Sequence, residues 1–546
     1  MVGEESERMV LHYGNRGVME RTGLTIRSIL PAALLLLPLI FWPAGPDQSI
    51  YLAAGKILAE GGVYYRDVAD VKPPLIGLLF GGANGLLGEG IFWVRLIEYL
   101  LQLLILLLIV RTLRYVGEGR GTIMVATILY ALLYASLGPD GTPQPESFVG
   151  LLLLPMMLFQ MRRRKSAGSL LVGVLGGLLF TLKFSFAAVL GGAILAEFLV
   201  FSESNREALR RSLLILLGGG SVILLFFLLL ALFDLLSGWE LMSGWIRGRL
   251  LFSLRNQNPV SLILRETGFY LGYGFSLAML VGLFRAISQT FSLVDTDSRP
   301  EKDNASILQW RRLSILMFLA LLASAITELM FVPYQFSRIF VPAAMLVAPV
   351  VVDLWERRGE LFRGKYGRVM FPLLLLTGLV FSPLPKYLSE MWRGVTWRVA
   401  SGNGLEASFD RSADTRWREV EELCDTIRSR SSLNQEGEKL FVVSDIASFF
   451  YAELHQTPRF GILHGHYLIA SFTPESLQQE FMSYLRREKP EFLILERNDG
   501  GAAGIVGVAS TMQGLERIEG FSQILEEKYR KIVQTAGFDL YQRESW

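Results

Sequence analysis

Apolar runs long enough to cross a bilayer recur between Leu30 and Ser382 and then stop. No other property of the chain narrows its fold as much. A bilayer interior accepts only structures whose backbone hydrogen bonds close on themselves, and each crossing helix needs about 20 apolar residues. Runs centred near Leu36, Leu103, Leu129, Leu154, Leu175, Ile194, Leu224, Leu277, Leu321, Leu346 and Leu376 predict a polytopic α-helical membrane protein with about eleven transmembrane helices. Residues 1–25 form a polar N-terminal segment, residues 26–385 the transmembrane domain and residues 386–546 a soluble domain. The run from Leu30 to Trp42, with Pro-Ala-Gly behind it, has the outline of a secretory signal. With so many crossings after it, an uncleaved first helix is the simpler reading.

Orientation follows Lys and Arg in the short loops. Arg111, Arg114 and Arg120 follow the second run, and Arg162, Arg163, Arg164 and Lys165 the fourth. Arg206, Arg210 and Arg211 follow the sixth, Arg311 and Arg312 precede the ninth, and Arg357, Arg358, Arg363, Lys365 and Arg368 follow the tenth. All fall on one side, which is then the cytoplasmic side of the plasma (inner) membrane, together with the N-terminus. The extracytoplasmic side receives residues 43–90, Gly138–Ser147, Ser237–Thr267, Glu328–Arg338 and, because the number of crossings is odd, the C-terminal domain.

That domain reads as α/β. Lys439–Asp445 and Glu491–Glu496 have the composition of buried strands, and Tyr529–Arg543 reads as a final strand pair. Ala447–His455, Pro474–Glu488 and Phe521–Tyr529 read as helices, with Thr473 as N-cap and Pro474 as first helical residue of the second. The glycine-rich Asn498–Ala503 lacks a phosphate-loop lysine and reads as a plain turn. The single cysteine, Cys424, excludes an intrachain disulfide and any cysteine-ligated cluster. A net charge of +2 gives no case for nucleic acid. His464 and His466 alternate as on one strand face, but two ligands do not make a zinc site and no third is near in sequence. No cofactor is certain from the sequence, and a divalent metal stays open without support from it.

The first extracytoplasmic segment carries the most chemistry. Gly45–Leu75 holds Asp47, Glu60, Asp67 and Asp70 with Lys56, Arg66 and Lys72, directly after the first apolar run. Asp47 has two readings: N-cap of the helix that follows, or general base on an acceptor hydroxyl. Arg66 and Lys72 have two as well, as contacts to a lipid headgroup or, with Tyr64, as ordinary interfacial anchors. Lys72, held extended ahead of Pro73 and Pro74, has an aimed side chain. Arg95 and Glu98 open the second run, and Arg247 and Arg249 lie in a later external segment. Lys183 sits in the outer half of the fifth run, where a cation is costly and marks a functional site unless it snorkels. Glu146, Glu328 and Arg338 are external too; Glu146 opens the fourth run, where an acid also suits the helix dipole, and Glu328 ends the ninth.

The order of these residues resembles the GT-C membrane glycosyltransferases, in particular the protein O-mannosyltransferase and aminoarabinose-transferase-like group. The resemblance rests on Asp47 just outside the first run, Tyr51, the stretch GGVYYRDVADVKPPL, Gly88, and Arg95-Leu96. Gly173–Lys183, Tyr334–Pro349 and Thr457–Phe460 extend it over most of the chain. The family's Asp-Glu pair reads Asp47-Gln48 here, which leaves any role of a second carboxylate in doubt. The resemblance implies inverting transfer of a sugar from a polyprenyl-phosphate-linked donor to an acceptor hydroxyl of a glycan, lipid or protein, outside the cytoplasm. Asp47 would be the base. Arg66, Lys72, Arg95, Lys183 and Arg338 would hold the lipid phosphate, with Tyr64, Asp67 and Glu146 as acceptor contacts or secondary acids. Two alternatives stay open: a transporter or flippase of lipid-linked saccharides, which needs no base, and a non-catalytic membrane assembly subunit.

Overall fold

A computed structural model describes residues 25–87, 91–162, 166–202, 204–256, 261, 280, 282–290, 302–329, 332–361, 384–401, 417–430, 440–497 and 507–544. Its first part is a helical bundle: α1 (Thr25–Phe41), α2 (Pro46–Ala59), α3 (Leu75–Leu87), α4 (Ile91–Tyr115), α5 (Arg120–Ala135), α6 (Val149–Arg162), α7 (Ser166–Leu182), α8 (Phe184–Phe201), α9 (Asn205–Leu232), α10 (Leu236–Asn256), α11 (Lys302–Thr327), α12 (Tyr334–Glu356) and α13 (Leu384–Ser401). Five of these are long and apolar enough to cross a membrane, or six if the bent pair α1/α2 is one crossing. The chain is a multi-pass membrane protein. The runs expected near Leu277 and Leu376, and the N-terminal segment up to residue 24, lie outside the described residues.

Along α9 the leucines look outward, with Leu217, Leu224 and Leu232 each more than 60% exposed. A row of exposed leucines suits acyl chains, not water. One end of the bundle gathers the basic loops. There Arg114 donates to Thr25, Arg211 pairs with Glu197 and Glu207, and Arg311 pairs with Glu118.

The expectation of a single loop over residues 43–90 is corrected. The chain turns by 70° between α1 and α2. α2 and the apolar α3 then pack together, joined by an irregular connection. Lys183 is likewise not inside a helix. α7 stops at Leu182 and Lys183 is extended (φ −159°, ψ 128°), at a break before α8.

The C-terminal part holds α14 (Trp417–Arg430), β1 (Leu440–Val443), α15 (Ala447–Glu453), α16 (Glu475–Glu488), β2 (Phe492–Glu496), α17 (Thr511–Glu516), α18 (Phe521–Lys528), β3 (Tyr529–Gln534) and β4 (Phe538–Arg543). The four strands form one sheet in the order β1-β2-β4-β3. β1 and β2 are parallel, with Leu440 opposite Phe492, and the other pairs are antiparallel. Every residue of β1 and β2 is buried, as their nearly unbroken apolar composition requires. The N-cap of α16 is Pro474, not Thr473. The Asn498–Ala503 turn lies outside the described residues.

The soluble part does not hang free. Ile50, Tyr64, Tyr65 and Val68 of the bundle share one core with Trp245 of α10 and with Phe460, Ile462 and Tyr467. Ala69 bridges Ile462, and its N–H donates to the Gly461 carbonyl at 2.8 Å. A Cβ at Gly461 would lie 2.2 Å from the Asp67 carbonyl oxygen, so only glycine permits this approach.

Candidate active site

At the end of the bundle opposite the basic loops, the soluble part roofs a cavity of about 640 Å³. Asp47, Lys72, Lys183, Arg249, Tyr334 and His464 line it, against apolar walls from Trp245, Ile246 and Leu250 of α10.

Asp47 owes its position to the start of α2. Gly45 is the N-cap and Pro46 the first helical residue. The Gly45 N–H donates to Gln48 Oε1 at 3.0 Å, so Gln48 performs the capping that the sequence offered to Asp47. Gln48 also reaches the Pro143 carbonyl at 3.4 Å. The residue that breaks the family's acidic pair thus fixes the helix start, and Asp47 faces the cavity. Gln144 Nε2 donates to Asp47 Oδ2 at 2.9 Å, and the Tyr334 hydroxyl bonds to the same carboxylate. Tyr51 donates to Gln144 Oε1 at 2.8 Å and accepts from the Lys72 ammonium, which lies 4.5 Å from the Tyr51 ring centroid. Lys72 Nζ and Asp47 Oδ2 are 3.6 Å apart.

Burial works to raise the Asp47 pKa. The Lys72 charge, His464 and the two hydrogen bonds outweigh it and hold the carboxyl below its usual range. Burial works against the Lys72 ammonium, but Asp47, Asp70 and Glu146 raise its pKa overall. Asp70 latches the Lys72 backbone. Its carboxylate accepts from Tyr64 (3.1 Å), Tyr467 (3.0 Å) and the Lys72 N–H (3.2 Å), and burial pushes its own pKa up. Tyr64 therefore serves the latch, away from the cavity lining.

A second cluster lies beside the first. Lys183 Nζ contacts Glu146 at 2.5 Å and Glu328 at 2.7 Å, and Arg338 contacts the same two carboxylates at 2.7 and 2.9 Å. Arg338 is 1% exposed and also bonds Ser324 and the Gln335 carbonyl. Two cations facing two carboxylates leave no net charge. Lys183 and Glu328 reach the cavity lining, whereas Glu146 and Arg338 stay behind it.

The expectation that Arg66, Lys72, Arg95, Lys183 and Arg338 together hold the lipid phosphate is corrected in three places. Arg338 is locked as just described. Arg95 is wholly buried, with its terminal nitrogens on Glu98 and on the carbonyls of Thr142, Pro43 and Pro139. Its role is to tie three external segments together. Arg66 is 60% exposed and pairs with Asp67, whose carboxylate also accepts the Val63 N–H and closes a turn. Neither Arg66 nor Asp67 reaches the cavity.

Arg249 takes their place. Its Nε and one terminal nitrogen find no hydrogen-bond partner among the described residues, although the side chain is 7% exposed. Burial lowers its pKa to about 10. A guanidinium so placed is waiting for an anion. The sequence locates Arg249 only in an external segment. In the structure α10 carries it, and tight packing of α10 on the soluble part turns it inward. His464, His466 and Tyr467 also line the cavity, contributed by a soluble domain whose sequence carries no clear site signal.

Residues 71–231 match the profile of the dolichyl-phosphate-mannose-protein mannosyltransferase family. The fold is shared with ArnT from Cupriavidus metallidurans bound to undecaprenyl phosphate, at a TM-score of 0.54 and 12% identity over 95% of this chain and 98% of that one. The chain therefore shares the fold of these membrane glycosyltransferases, and one segment of it matches a mannosyltransferase family. The Archaeoglobus fulgidus oligosaccharyltransferase, solved tethered to an acceptor peptide with the NVT sequon, has the same fold, at a TM-score of 0.51 and 12% identity over 96% of this chain and 74% of that one. No curated protein matches by sequence. Identities that low speak for the fold, while the family match covers the segment from Val71 through α9 that carries Lys72, Gln144, Glu146 and Lys183.

Proposed function

We propose that this glycosyltransferase moves a sugar from a polyprenyl-phosphate-linked donor to an acceptor hydroxyl on the extracytoplasmic face of the plasma membrane. The observation that carries the reading is the meeting of Asp47, Lys72 and Arg249, two of whose nitrogens find no partner among the described residues, on one apolar-walled cavity. An isoprenoid chain suits the apolar wall, and the two cations suit the phosphate at its end. ArnT, bound to undecaprenyl phosphate, shares the fold, which supports a lipid phosphate as the ligand class.

In the proposed reaction the acceptor oxygen attacks the anomeric carbon as the bond from that carbon to the phosphate oxygen breaks. The hydroxyl proton passes to the Asp47 carboxylate, and the polyprenyl phosphate leaves with the bonding pair. Lys72 and Arg249 stabilise the charge that develops on it, with Lys183 at the edge. Asp47 is ionised at neutral pH. Its low basicity suits a late proton transfer, when bond formation has made the hydroxyl acidic. Arg338 and Glu146 position Lys183, and Arg95, Tyr64 and Asp67 shape the loops. Attack from the face opposite the leaving phosphate inverts the anomeric carbon. The test is NMR of the product's anomeric proton against that of the donor: inversion is expected, and retained configuration contradicts the single displacement.

A further inference from the structure

Three potential metal ligands meet on the roof of the cavity. Asp445 follows β1 at the carboxyl end of the parallel pair β1/β2, the edge where α/β sheets commonly bind ligands. His464 Nδ1 lies 3.4 Å and His466 Nε2 lies 3.0 Å from the same oxygen, Asp445 Oδ1. One donor atom from each residue falls within 4.8 Å of the others. Bonds of about 2.0–2.1 Å in a tetrahedral site put neighbouring ligand atoms roughly 3.3 Å apart, close to the two spacings found here.

The arrangement is built, not incidental. The expected strand alternation of the histidines is absent: His464 is in a loop and His466 starts a short helix, His466–Ile469. Gly465 between them runs against the Asp445 loop, its N–H donating to the Ser444 carbonyl at 3.0 Å. A Cβ there would sit 2.8 Å from the Ser444 nitrogen, so glycine is what lets both imidazoles flank the carboxylate. From the other side, Glu496 of β2 accepts from Ser444 Oγ at 2.7 Å and from the Asp445 N–H at 3.1 Å. Such outer support is typical of positioned ligands. Both imidazoles line the cavity that holds Asp47 and Lys72.

We infer that Asp445, His464 and His466 form a divalent transition-metal site of the zinc class, open on its fourth side to the cavity. Two imidazoles and one carboxylate suit zinc or cobalt better than magnesium or calcium, which prefer oxygen ligands throughout. The open position accepts an oxygen from water, a phosphate or an acceptor hydroxyl. Metal content alone reads this site, so it stands or falls separately from the role of Asp47 in transfer.

The full-length protein in detergent is stripped with a chelator, dialysed against micromolar Zn²⁺ and analysed for metal, beside Asp445→Asn and His464→Asn. The parent is expected to retain about one zinc per chain and each variant to bind at least ten-fold more weakly. Cobalt in the parent is expected to give visible bands of a four- or five-coordinate site that both variants lack. Zinc is also expected to raise the melting temperature of the stripped parent and not of Asp445→Asn. That comparison separates lost binding from lost folding. No stoichiometric zinc in the parent, or equal zinc in parent and variants, overturns the site and leaves a histidine–carboxylate contact that only joins two loops.

Discussion

The two charge clusters at the external end of the bundle are made of the same residue types and behave in opposite ways. In one, Asp47 and Lys72 stand 3.6 Å apart, each partly open to the cavity, and their other bonds come from neutral groups, Gln144, Tyr51 and Tyr334. In the other, Lys183 and Arg338 are clamped at 2.5–2.9 Å between Glu146 and Glu328. The open pair keeps bonding capacity for a ligand. The quartet has matched its charges among its own members, although Glu146 Oε2 finds no partner among the described residues. Charge at a membrane interface therefore says little about duty until its partners are known, and Arg249, with two nitrogens unpartnered among the described residues, is the cation best placed to receive an anion.

The difference breaks down first at Arg338. Arg338→Ala leaves two buried carboxylates facing Lys183 alone, and removing one partner of a buried network costs about 3–5 kcal/mol. A fall in melting temperature with loss of folded protein is expected. Unchanged stability contradicts the closed-quartet description. Next comes Arg249→Ala, which is expected to keep its melting temperature and lose about 10²–10³ in turnover, the scale of one lost charge-stabilising donor. Inhibition by free polyprenyl phosphate should weaken with it, and an unaltered inhibition constant removes Arg249 from the phosphate site.

The pH profile sharpens the comparison further. The Asp47 pKa is lowered, so its working carboxylate persists until the pH falls through that lowered value. The Lys72 pKa is raised, so its ammonium persists until the pH rises through that raised value. Activity is expected to stay flat from about pH 6 to about pH 9, with the acid limb below the range of an unperturbed carboxyl and the basic limb near 10, where Arg249 loses its charge. An Asp47-dependent limb near neutrality contradicts this. The smallest effect is expected for Arg66→Ala. Exposed and paired only with Asp67, it should change stability by less than about 0.5 kcal/mol and turnover by less than about two-fold.

Much of this was legible in the sequence. Apolar runs marked the helices because bilayer burial leaves little choice of composition, and strand composition marked the sheet. Asp47 and Lys72 were legible because charges and prolines placed directly after a first crossing are costly to order against a bilayer unless they bind something. Arg95 and Arg338 misled because a cation near the external face reads the same whether carbonyls and carboxylates saturate it or not; only the distances to Thr142 and Glu146 distinguish the cases. Gln144 was hidden for the opposite reason. A neutral side chain between two prolines carries no charge signal, yet it bridges Asp47 and Tyr51. His464 and Arg249 reach the cavity only through docking of the soluble part on α2 and α10, a long-range contact that no local pattern encodes.

The central claim is that Asp47 acts in bond making and not in holding the lipid. Its direct test is Asp47→Asn in the purified full-length protein, measured in parallel for sugar transfer and for binding of polyprenyl phosphate. The expected result is a loss of transfer of about 10²–10⁴-fold, the range for a missing general base, with lipid binding and melting temperature unchanged. Transfer at the parent rate, or transfer and lipid binding lost together, contradicts a role for Asp47 as the base.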